Sequence, residues 1–230
     1  MCAIIGAYIE KPSSLDLIML AVVFRESSIR GLHATGVSWV LDGEVKTRID
    51  AKPATQFLES FDLNNCINED GNLYLIGHCR YSTSDLEFNQ PLWNESISIV
   101  HNGVITQEMP ENWESLYGYK CKTRNDSELI LHTLEAKKSP LQEFSNASMA
   151  VVELYKEKKL RFYRNGKRPI YFTSLPNGGI ITSTKDIAIR ANLLNDLVEI
   201  DMNCYATISN GILQKNFVLI DGAKDLQHVR

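Results

Sequence analysis

Cys2 is the residue from which a chemical reading of this 230-residue chain starts. Removal of Met1 would leave Cys2 with a thiol and a free α-amino group on the same carbon. The amine titrates near about 8 and the thiol near about 8.5, so the amine can act as the base for the thiol. Any chain can begin Met-Cys, however. On this stretch alone, a small buried cysteine at the start of a strand is the favoured reading.

Two polar clusters further along the chain suit the head group of an amino acid. Arg80 lies in GHCRYST, residues 77–83, and a guanidinium can bind both oxygens of a carboxylate. A surface salt bridge is an equally good reading of Arg80. Asp126 lies in TRNDSE, residues 123–128, and could receive an ammonium group. The same six residues are also typical of a helix N-terminus with acidic residues in its first turn.

The triplet His101-Asn102-Gly103 follows an apolar run. Asn-Gly after a strand ordinarily indicates a tight turn. The functional alternative is an oxyanion hole, in which the Asn102 amide and the Gly103 backbone N–H point at one oxygen. A thiolate, an oxyanion hole, a carboxylate receptor and an ammonium receptor together fit an amino acid with a side-chain amide, such as glutamine.

The composition excludes several other classes of function. A net charge of -4 gives no reason to expect nucleic acid or an anionic membrane as a partner. No apolar run approaches the roughly 20 residues of a membrane span, and no secretory signal is recognisable, so we expect a cytoplasmic protein. The five scattered cysteines lack CxxC spacing, which predicts free thiols and no metal site. No P-loop or dinucleotide fingerprint occurs, and no cofactor is expected.

The hydrophobic pattern predicts many short strands and few helices. Predicted strands cover residues 3–9, 35–41, 44–49, 73–76, 96–100, 148–155, 160–163, 170–173, 179–184, 205–208 and 212–219, and predicted helices cover 14–28, 55–61, 127–138 and 186–194. Asp42-Gly43 and Asn210-Gly211 predict two hairpins. This order favours an α+β fold of antiparallel sheets with segregated helices, in a single domain over residues 1–230 with a polar tail after about 220.

The order of the motifs resembles the class II glutamine amidotransferases, a family of N-terminal nucleophile hydrolases. Its members include the glutaminase domains of glucosamine-6-phosphate synthase and amidophosphoribosyltransferase. The similar segments, over about residues 2–205, are MCAIIG (1–6), RGLHATG (30–36), GHCRYST (77–83), NQP (89–91), HNG (101–103), NDSE (125–128) and, loosely, RNGKRP (164–169). The resemblance implies a four-layer αββα sandwich of two antiparallel sheets, which goes beyond the pattern-based prediction.

The resemblance also implies roles for individual residues. Cys2 would attack the glutamine side-chain amide, release ammonia and form a γ-glutamyl thioester that water hydrolyses. The free α-amino group of Cys2 would shuttle the proton. Asn102 and Gly103 match the oxyanion hole of the family.

The remaining residues of the resemblance concern substrate binding. Arg80 matches the ligand of the α-carboxylate, with Thr83 helping, and Asp126 matches the ligand of the α-ammonium group. Arg30 lies near the nucleophile in relatives.

Four positions depart from the family pattern. Ala3 replaces a glycine, His33 stands where an aspartate is frequent, Cys79 replaces a threonine and Asn165 replaces an aspartate. None of them is a proposed reacting group. Ala3 is nearest the nucleophile, and its methyl group would either narrow the entrance or change the packing.

Three functions fit these features. The first is a glutaminase subunit that passes ammonia to a separate synthase, because the residues after about 205 are too few for a synthase domain. The second is a hydrolase of another γ-glutamyl amide, since Arg80 and Asp126 recognise only the amino-acid head. The third is a non-catalytic module that senses glutamine or binds a partner.

Overall fold

The computed structural model describes residues 2–82, 88–193, 196–209 and 211–218. Over these residues the chain forms two antiparallel sheets with helices on their outer faces, so the predicted α+β sandwich is confirmed. No helix in the described ranges is long and apolar enough to cross a membrane.

The strands form a seven-stranded and a six-stranded sheet within the described residues. Their bounds are β1 (Ala3–Glu10), β2 (Ala34–Leu41), β3 (Glu44–Asp50), β4 (Asn72–Arg80), β5 (Leu92–Trp93), β6 (Ile97–Val104), β7 (Ser148–Tyr155), β8 (Lys159–Arg164), β9 (Tyr171–Leu175), β10 (Gly178–Thr182), β11 (Leu197–Glu199), β12 (Cys204–Ser209) and β13 (Ile212–Phe217). The strand orders are β11-β9-β10-β1-β4-β2-β3 and β13-β12-β8-β7-β6-β5. β1 and β4 are therefore central in one sheet, and β6 and β7 pair in the other.

The helices are short apart from the first. Their bounds are α1 (Ser14–Ser27), α2 (Ala54–Phe57), α3 (Trp113–Tyr117), α4 (Glu128–Glu135), α5 (Pro140–Glu143) and α6 (Lys185–Arg190). The Ser13 hydroxyl accepts a hydrogen bond from the Asp16 N–H, and the Asp16 carboxylate accepts one from the Ser13 N–H. This capping box begins α1 and fixes its direction.

Alternate residues of β1 pack in different cores, as the two-residue period of a strand requires. Ile5 packs with Leu20 and Phe24 of α1 in an outer core. Ile4 packs with Val152 of β7 in the core between the two sheets. The central strand is thus buried on both faces.

A third core covers the outer face of the six-stranded sheet. Val151 of β7 and Tyr163 of β8 pack there with Leu129 of α4 and Leu141 of α5. The order of layers is α1 with α2 and α6, the seven-stranded sheet, the six-stranded sheet, and α4 with α5. This is the four-layer αββα arrangement that the family resemblance implies.

Two strands extend further than their apolar runs predict. β4 continues through Arg80, and β6 continues through Val104, with Asn102 paired to Ala150 and Gly103 to Met149 of β7. Asn102 and Gly103 therefore lie in a strand and not in the tight turn that an Asn-Gly pair ordinarily indicates. Pairing with β7 over the full length of β6 explains why these polar residues remain in a strand.

Other boundaries differ in smaller ways. α3, α5, β5 and β11 were not predicted, since each has at most five residues and no clear periodicity. α4 ends at Glu135 instead of 138, and Lys137 has a φ of +57°. α2 and α6 are also shorter than predicted.

The two predicted hairpins differ in how much of each is described. β2 and β3 pair around Asp42-Gly43, as predicted. β12 and β13 pair as expected, whereas Asn210 and the predicted tail lie outside the described residues.

Candidate active site

A cavity of about 470 Å³ opens between the ends of β1, β4 and β6 and the start of α4. Its walls include Cys2, Arg80, Asn102, Gly103 and Asp126. The sheet register explains this meeting. Ala3 of β1 pairs with the residue before Arg80 in β4, so the nucleophile candidate lies beside the predicted carboxylate ligand.

The Asn102 side chain is only 3% exposed, and its Nδ2 atom is buried without a hydrogen-bond partner among the described residues. A buried donor without a partner destabilises a protein by about 1–3 kcal/mol. Such a donor, in a cavity that Cys2 also lines, suits an oxygen that is present only when substrate is bound. This is the behaviour required of an oxyanion hole.

Gly103 occupies a position where a side chain does not fit. A Cβ atom there would lie 1.8 Å from the carbonyl oxygen of Ser148, and its φ is +154°. The absence of a side chain lets β6 approach β7 closely. The same feature leaves the main chain at Gly103 accessible from the cavity that it lines.

A buried hydrogen-bond network fixes the residue that precedes Asn102 in β6. The ring of His101 contacts the Ser127 hydroxyl through Nδ1 (2.8 Å) and the Ser148 carbonyl oxygen through Nε2 (3.3 Å). The side chain of Gln90 accepts a hydrogen bond from the His101 N–H (2.6 Å) and donates one to the Ser127 hydroxyl (3.1 Å). Burial lowers the pKa of His101, so the ring is neutral near pH 7.

The Arg80 guanidinium is held by two residues of the segment that precedes β5. Its Nη1 atom donates to the Phe88 carbonyl oxygen (2.9 Å) and to the Asn89 side-chain oxygen (2.8 Å). Asn89, the first residue of the Asn-Gln-Pro motif, thus helps to orient the Arg80 side chain. Thr83, the predicted helper of Arg80, lies outside the described residues.

Asp126 is fixed by main-chain donors on one oxygen only. Its Oδ2 atom accepts hydrogen bonds from the N–H groups of Ile105 (2.6 Å) and Thr106 (3.3 Å). Its Oδ1 atom accepts none from any described residue. A carboxylate anchored in this way presents one oxygen to a cation.

Arg30 lies beside the nucleophile but does not line this cavity. Its Nε atom donates to the Cys2 carbonyl oxygen (3.2 Å), and its side chain borders a smaller neighbouring cavity with Asp186. Burial, and then the nearby Arg168 charge, lower the pKa of Arg30. The contact fits a residue that positions Cys2 better than one that binds substrate.

His78, the histidine of the GHCRYST motif, is a residue of the site that the sequence motifs did not predict. His78 lines the cavity at 1% exposure, and neither ring nitrogen forms a well-aligned hydrogen bond with a described residue. Burial, together with the charges of Arg80 and His101, lowers the pKa of His78 to about 3. His78 is therefore a neutral imidazole in the wall of the cavity near pH 7.

Three departures from the family pattern occupy structural positions near the site. Ala3 and Cys79 are fully buried in the outer core, where burial raises the pKa of the Cys79 thiol to about 12. The Ala3 methyl group therefore affects packing and not the entrance. His33 accepts a hydrogen bond from the Ser82 N–H at Nδ1 (2.8 Å) and packs against the ring of Tyr81.

The fourth departure, Asn165, connects the start of β7 to the loop after β8. Its side chain donates to the Ala147 carbonyl oxygen (2.5 Å) and accepts from the Met149 N–H (3.1 Å). An aspartate could not donate the first of these hydrogen bonds.

Comparisons with known proteins agree with the family resemblance of the sequence motifs. Residues 59–226 match the model of a family described as the glutamine amidotransferase domain. A search of curated proteins finds no significant match.

Solved structures share the fold. Glutamine phosphoribosylpyrophosphate amidotransferase from B. subtilis is 16% identical with a TM-score of 0.71, and covers 94% of this chain and 49% of its own. A structure described as the allosteric regulatory enzyme of purine biosynthesis has the same identity and coverage and a TM-score of 0.75. A glutamine aminotransferase class-II domain protein from Silicibacter pomeroyi is 13% identical with a TM-score of 0.57, over 93% of this chain and 98% of its own. The chain thus spans about half the length of the first two relatives.

Proposed function

The chain belongs to the glutamine amidotransferase domain family, and we propose that it is a class II member that hydrolyses the side-chain amide of L-glutamine to glutamate and ammonia. One observation carries the proposal. A single cavity contains Cys2, the Asn102 amide donor, the oriented guanidinium of Arg80 and the carboxylate of Asp126. Among the described residues, the Asn102 donor has no hydrogen-bond partner. Cys2 and Asn102 suit the side-chain amide of the substrate, and Arg80 and Asp126 suit its amino-acid head.

The proposed reaction begins with removal of Met1, which exposes the α-amino group of Cys2. This amine accepts the thiol proton as Sγ attacks the amide carbon. The Asn102 Nδ2–H and Gly103 N–H stabilise the oxyanion of the tetrahedral intermediate. The C–N bond breaks as the protonated amine gives its proton to the departing nitrogen, which leaves as ammonia.

The second half of the reaction hydrolyses the γ-glutamyl thioester. The amine removes a proton from water, the resulting hydroxide attacks the thioester carbon, and the same oxyanion donors stabilise the new intermediate. The C–S bond then breaks, the protonated amine returns its proton to Sγ, and the Cys2 thiol is regenerated as glutamate leaves. Throughout, Arg80 binds the α-carboxylate and Asp126 binds the α-ammonium group of the substrate. Thr83 assists Arg80, and Arg30 holds the Cys2 main chain in position.

A glutamate-release assay on the purified chain tests this proposal. We expect glutamine-dependent glutamate from the wild type and none above background from Cys2→Ala. Cys66→Ala is the matched control, because Cys66 is fully buried in the outer core away from the cavity and its loss should leave turnover intact. Equal activity in Cys2→Ala and the control would refute the proposal. So would a wild type that has lost Met1 and yet releases no glutamate.

We further propose that the ammonia passes to an acceptor on a separate synthase. The B. subtilis relative is, by its name, a glutamine phosphoribosylpyrophosphate amidotransferase, and transfer of ammonia to an acceptor would give this chain the same kind of activity. In cells that naturally produce this protein, supplied with glutamine labelled at its amide nitrogen, the label should enter the product of the synthase. A Cys2→Ala replacement in those cells should abolish that labelling, and unchanged labelling would refute the transfer.

A second candidate substrate class follows from the size of the cavity. At about 470 Å³ it lies within the range of pockets for drug-sized ligands, and its lining includes Trp113 and Glu108 in addition to Arg80 and Asp126. A larger γ-glutamyl amide would use the same Arg80 and Asp126 contacts. The values of kcat/KM for glutamine and for γ-glutamyl amides with bulky nitrogen substituents decide between the two, and a higher value for glutamine favours the glutaminase.

A further inference from the structure

A second group of chemically active side chains lies outside the cavity. One candidate ligand atom each from Cys121, Glu128 and His132 lies within 4.8 Å of the other two. Glu128 and His132 are four residues apart on α4 and therefore share a face of the helix. Cys121 reaches the same point from the preceding loop.

The imidazole of His132 is already oriented as a metal ligand would be. Its Nδ1 atom contacts Glu135 Oε2 at 2.8 Å. Its Nε2 atom is buried without a hydrogen bond to any described residue and lies 3.5 Å from Glu128 Oε1. A histidine that bonds a carboxylate through one nitrogen and presents the other is the usual second-sphere arrangement at zinc sites.

The carboxylate of Glu128 is fixed by the loop that carries Cys121. Its Oε1 atom accepts a hydrogen bond from the Lys122 N–H (2.7 Å). Its Oε2 atom accepts from the N–H (2.7 Å) and the hydroxyl (2.6 Å) of Thr123. Each carboxylate oxygen has about two lone pairs, so Oε1 can still bind a metal.

We propose that Cys121, Glu128 and His132 bind one zinc ion, with water as the fourth ligand. Sulfur, imidazole and carboxylate are the three ligand types of protein zinc sites, and this mixture disfavours magnesium and calcium. The proposal replaces the expectation of no metal, which rested on the absence of CxxC spacing. Cys-x6-Glu-x3-His has no such signature, and only the fold brings the three residues together.

The location of the site gives the ion a structural role. The four residues between Cys121 and Glu128 that line the active-site cavity are Arg124, Asn125, Asp126 and Ser127. An ion bound to both ends of this segment would hold the wall that carries Asp126. The competing interpretation is that Glu128 only orders the loop and that Cys121 is an unreactive thiol, its pKa raised to about 12 by burial and by Glu128.

Metal titration of the full chain tests the proposal, in a Cys2→Ala background that removes the chelating N-terminal cysteine. After treatment with a chelator, we expect one equivalent of Zn²⁺ to bind. Co²⁺ should give a sulfur-to-metal charge-transfer band that Cys121→Ser abolishes. His132→Gln should weaken zinc binding at least tenfold, and Glu135→Gln by about 10–100-fold, the usual cost of losing a second-sphere partner.

Cys204→Ser is the matched control, because it removes another thiol and leaves the three ligands in place. Circular dichroism establishes whether each variant is folded. If Cys121→Ser does not fold, His132→Gln still tests the proposal. Absence of stoichiometric zinc binding, or binding unchanged by both ligand variants, would overturn the proposal. Because no glutamine is present, either result is independent of the proposed glutaminase activity.

Discussion

The side chain of Asn102 is positioned to donate a hydrogen bond to an oxygen of a bound ligand. Asn102 is buried and its amide donor has no described partner, although buried polar groups are normally hydrogen-bonded. The network of Gln90, His101 and Ser127 holds the strand on which Asn102 lies. The donor is thus positioned before substrate binds, which is the condition for efficient stabilisation of a transition state.

Replacement of Asn102 by leucine separates catalysis from stability. Loss of one oxyanion donor should lower kcat about 100- to 1000-fold. The free energy of unfolding should change by no more than about 1 kcal/mol, because the substitution also removes an unpaired buried donor. Glutamate release and urea denaturation measure the two quantities. A variant with wild-type kcat would rule out this role for Asn102.

The buried His78 should make stability depend on pH. Its folded pKa of about 3 lies below the unfolded value of about 6.5, because burial and the charges of Arg80 and His101 disfavour the protonated form. The unfolded chain therefore binds the extra proton, and stability is full above about pH 6.5 and falls as the pH decreases towards 3. The slope approaches about 1.4 kcal/mol per pH unit.

Urea denaturation between pH 6.5 and 5 measures this slope, and the variant His78→Gln isolates the contribution of one imidazole. We expect the variant to lose less stability per pH unit than the wild type. Equal slopes in the two proteins would contradict the assignment of a strongly lowered pKa to His78.

The six-stranded sheet contains an ion pair in which the acid is fully buried and the arginine is partly exposed. The Arg161 Nε atom of β8 lies 2.6 Å from Glu153 Oε2 of β7, and the Glu153 side chain is fully buried. The hydroxyl of Tyr155 also donates to this carboxylate (2.6 Å). The pair joins two neighbouring strands beneath the layer of α4 and α5.

Removal of only one charge from this pair should be strongly destabilising. Arg161→Met leaves the buried Glu153 carboxylate uncompensated, and we expect a loss of about 3–5 kcal/mol in the free energy of unfolding. The matched control is Lys215→Met, which breaks an exposed pair with Asp201 and should cost less than about 1 kcal/mol. Denaturant unfolding measures the loss in free energy of unfolding for both variants. Similar losses would contradict the expected cost of leaving the Glu153 carboxylate uncompensated.

The elements also show where sequence patterns succeed. The buried strand β1, the helix α1 and the hairpin at Asp42-Gly43 have strong local signals, and all three are confirmed. The turn that an Asn-Gly pair ordinarily indicates does not form at Asn102-Gly103, because the pairing of β6 with β7 outweighs the local turn propensity. Tertiary contacts of this kind have no signature within a short window of sequence.

At the scale of the whole molecule, ordered motifs predict the family and the αββα layers, and both are confirmed. The structure also brings Cys2, Arg80, Asn102 and Asp126 into one cavity, while their roles in turnover remain predictions. The supporting contacts were not predictable. Gln90 meets Ser127 across 37 residues of sequence, and Arg30 meets Cys2 across 28. Such pairs depend on the packing of both sheets.

The central claim is that Cys2, freed of Met1, forms a γ-glutamyl thioester. Acid quenching during glutamine turnover, followed by mass spectrometry of the N-terminal peptide, tests it most directly. We predict that Cys2 becomes the first residue and carries one glutamyl group, and that a form that retains Met1 is folded but carries none and releases no glutamate. A glutamyl group on another residue, or equal turnover by the form that retains Met1, would contradict the claim.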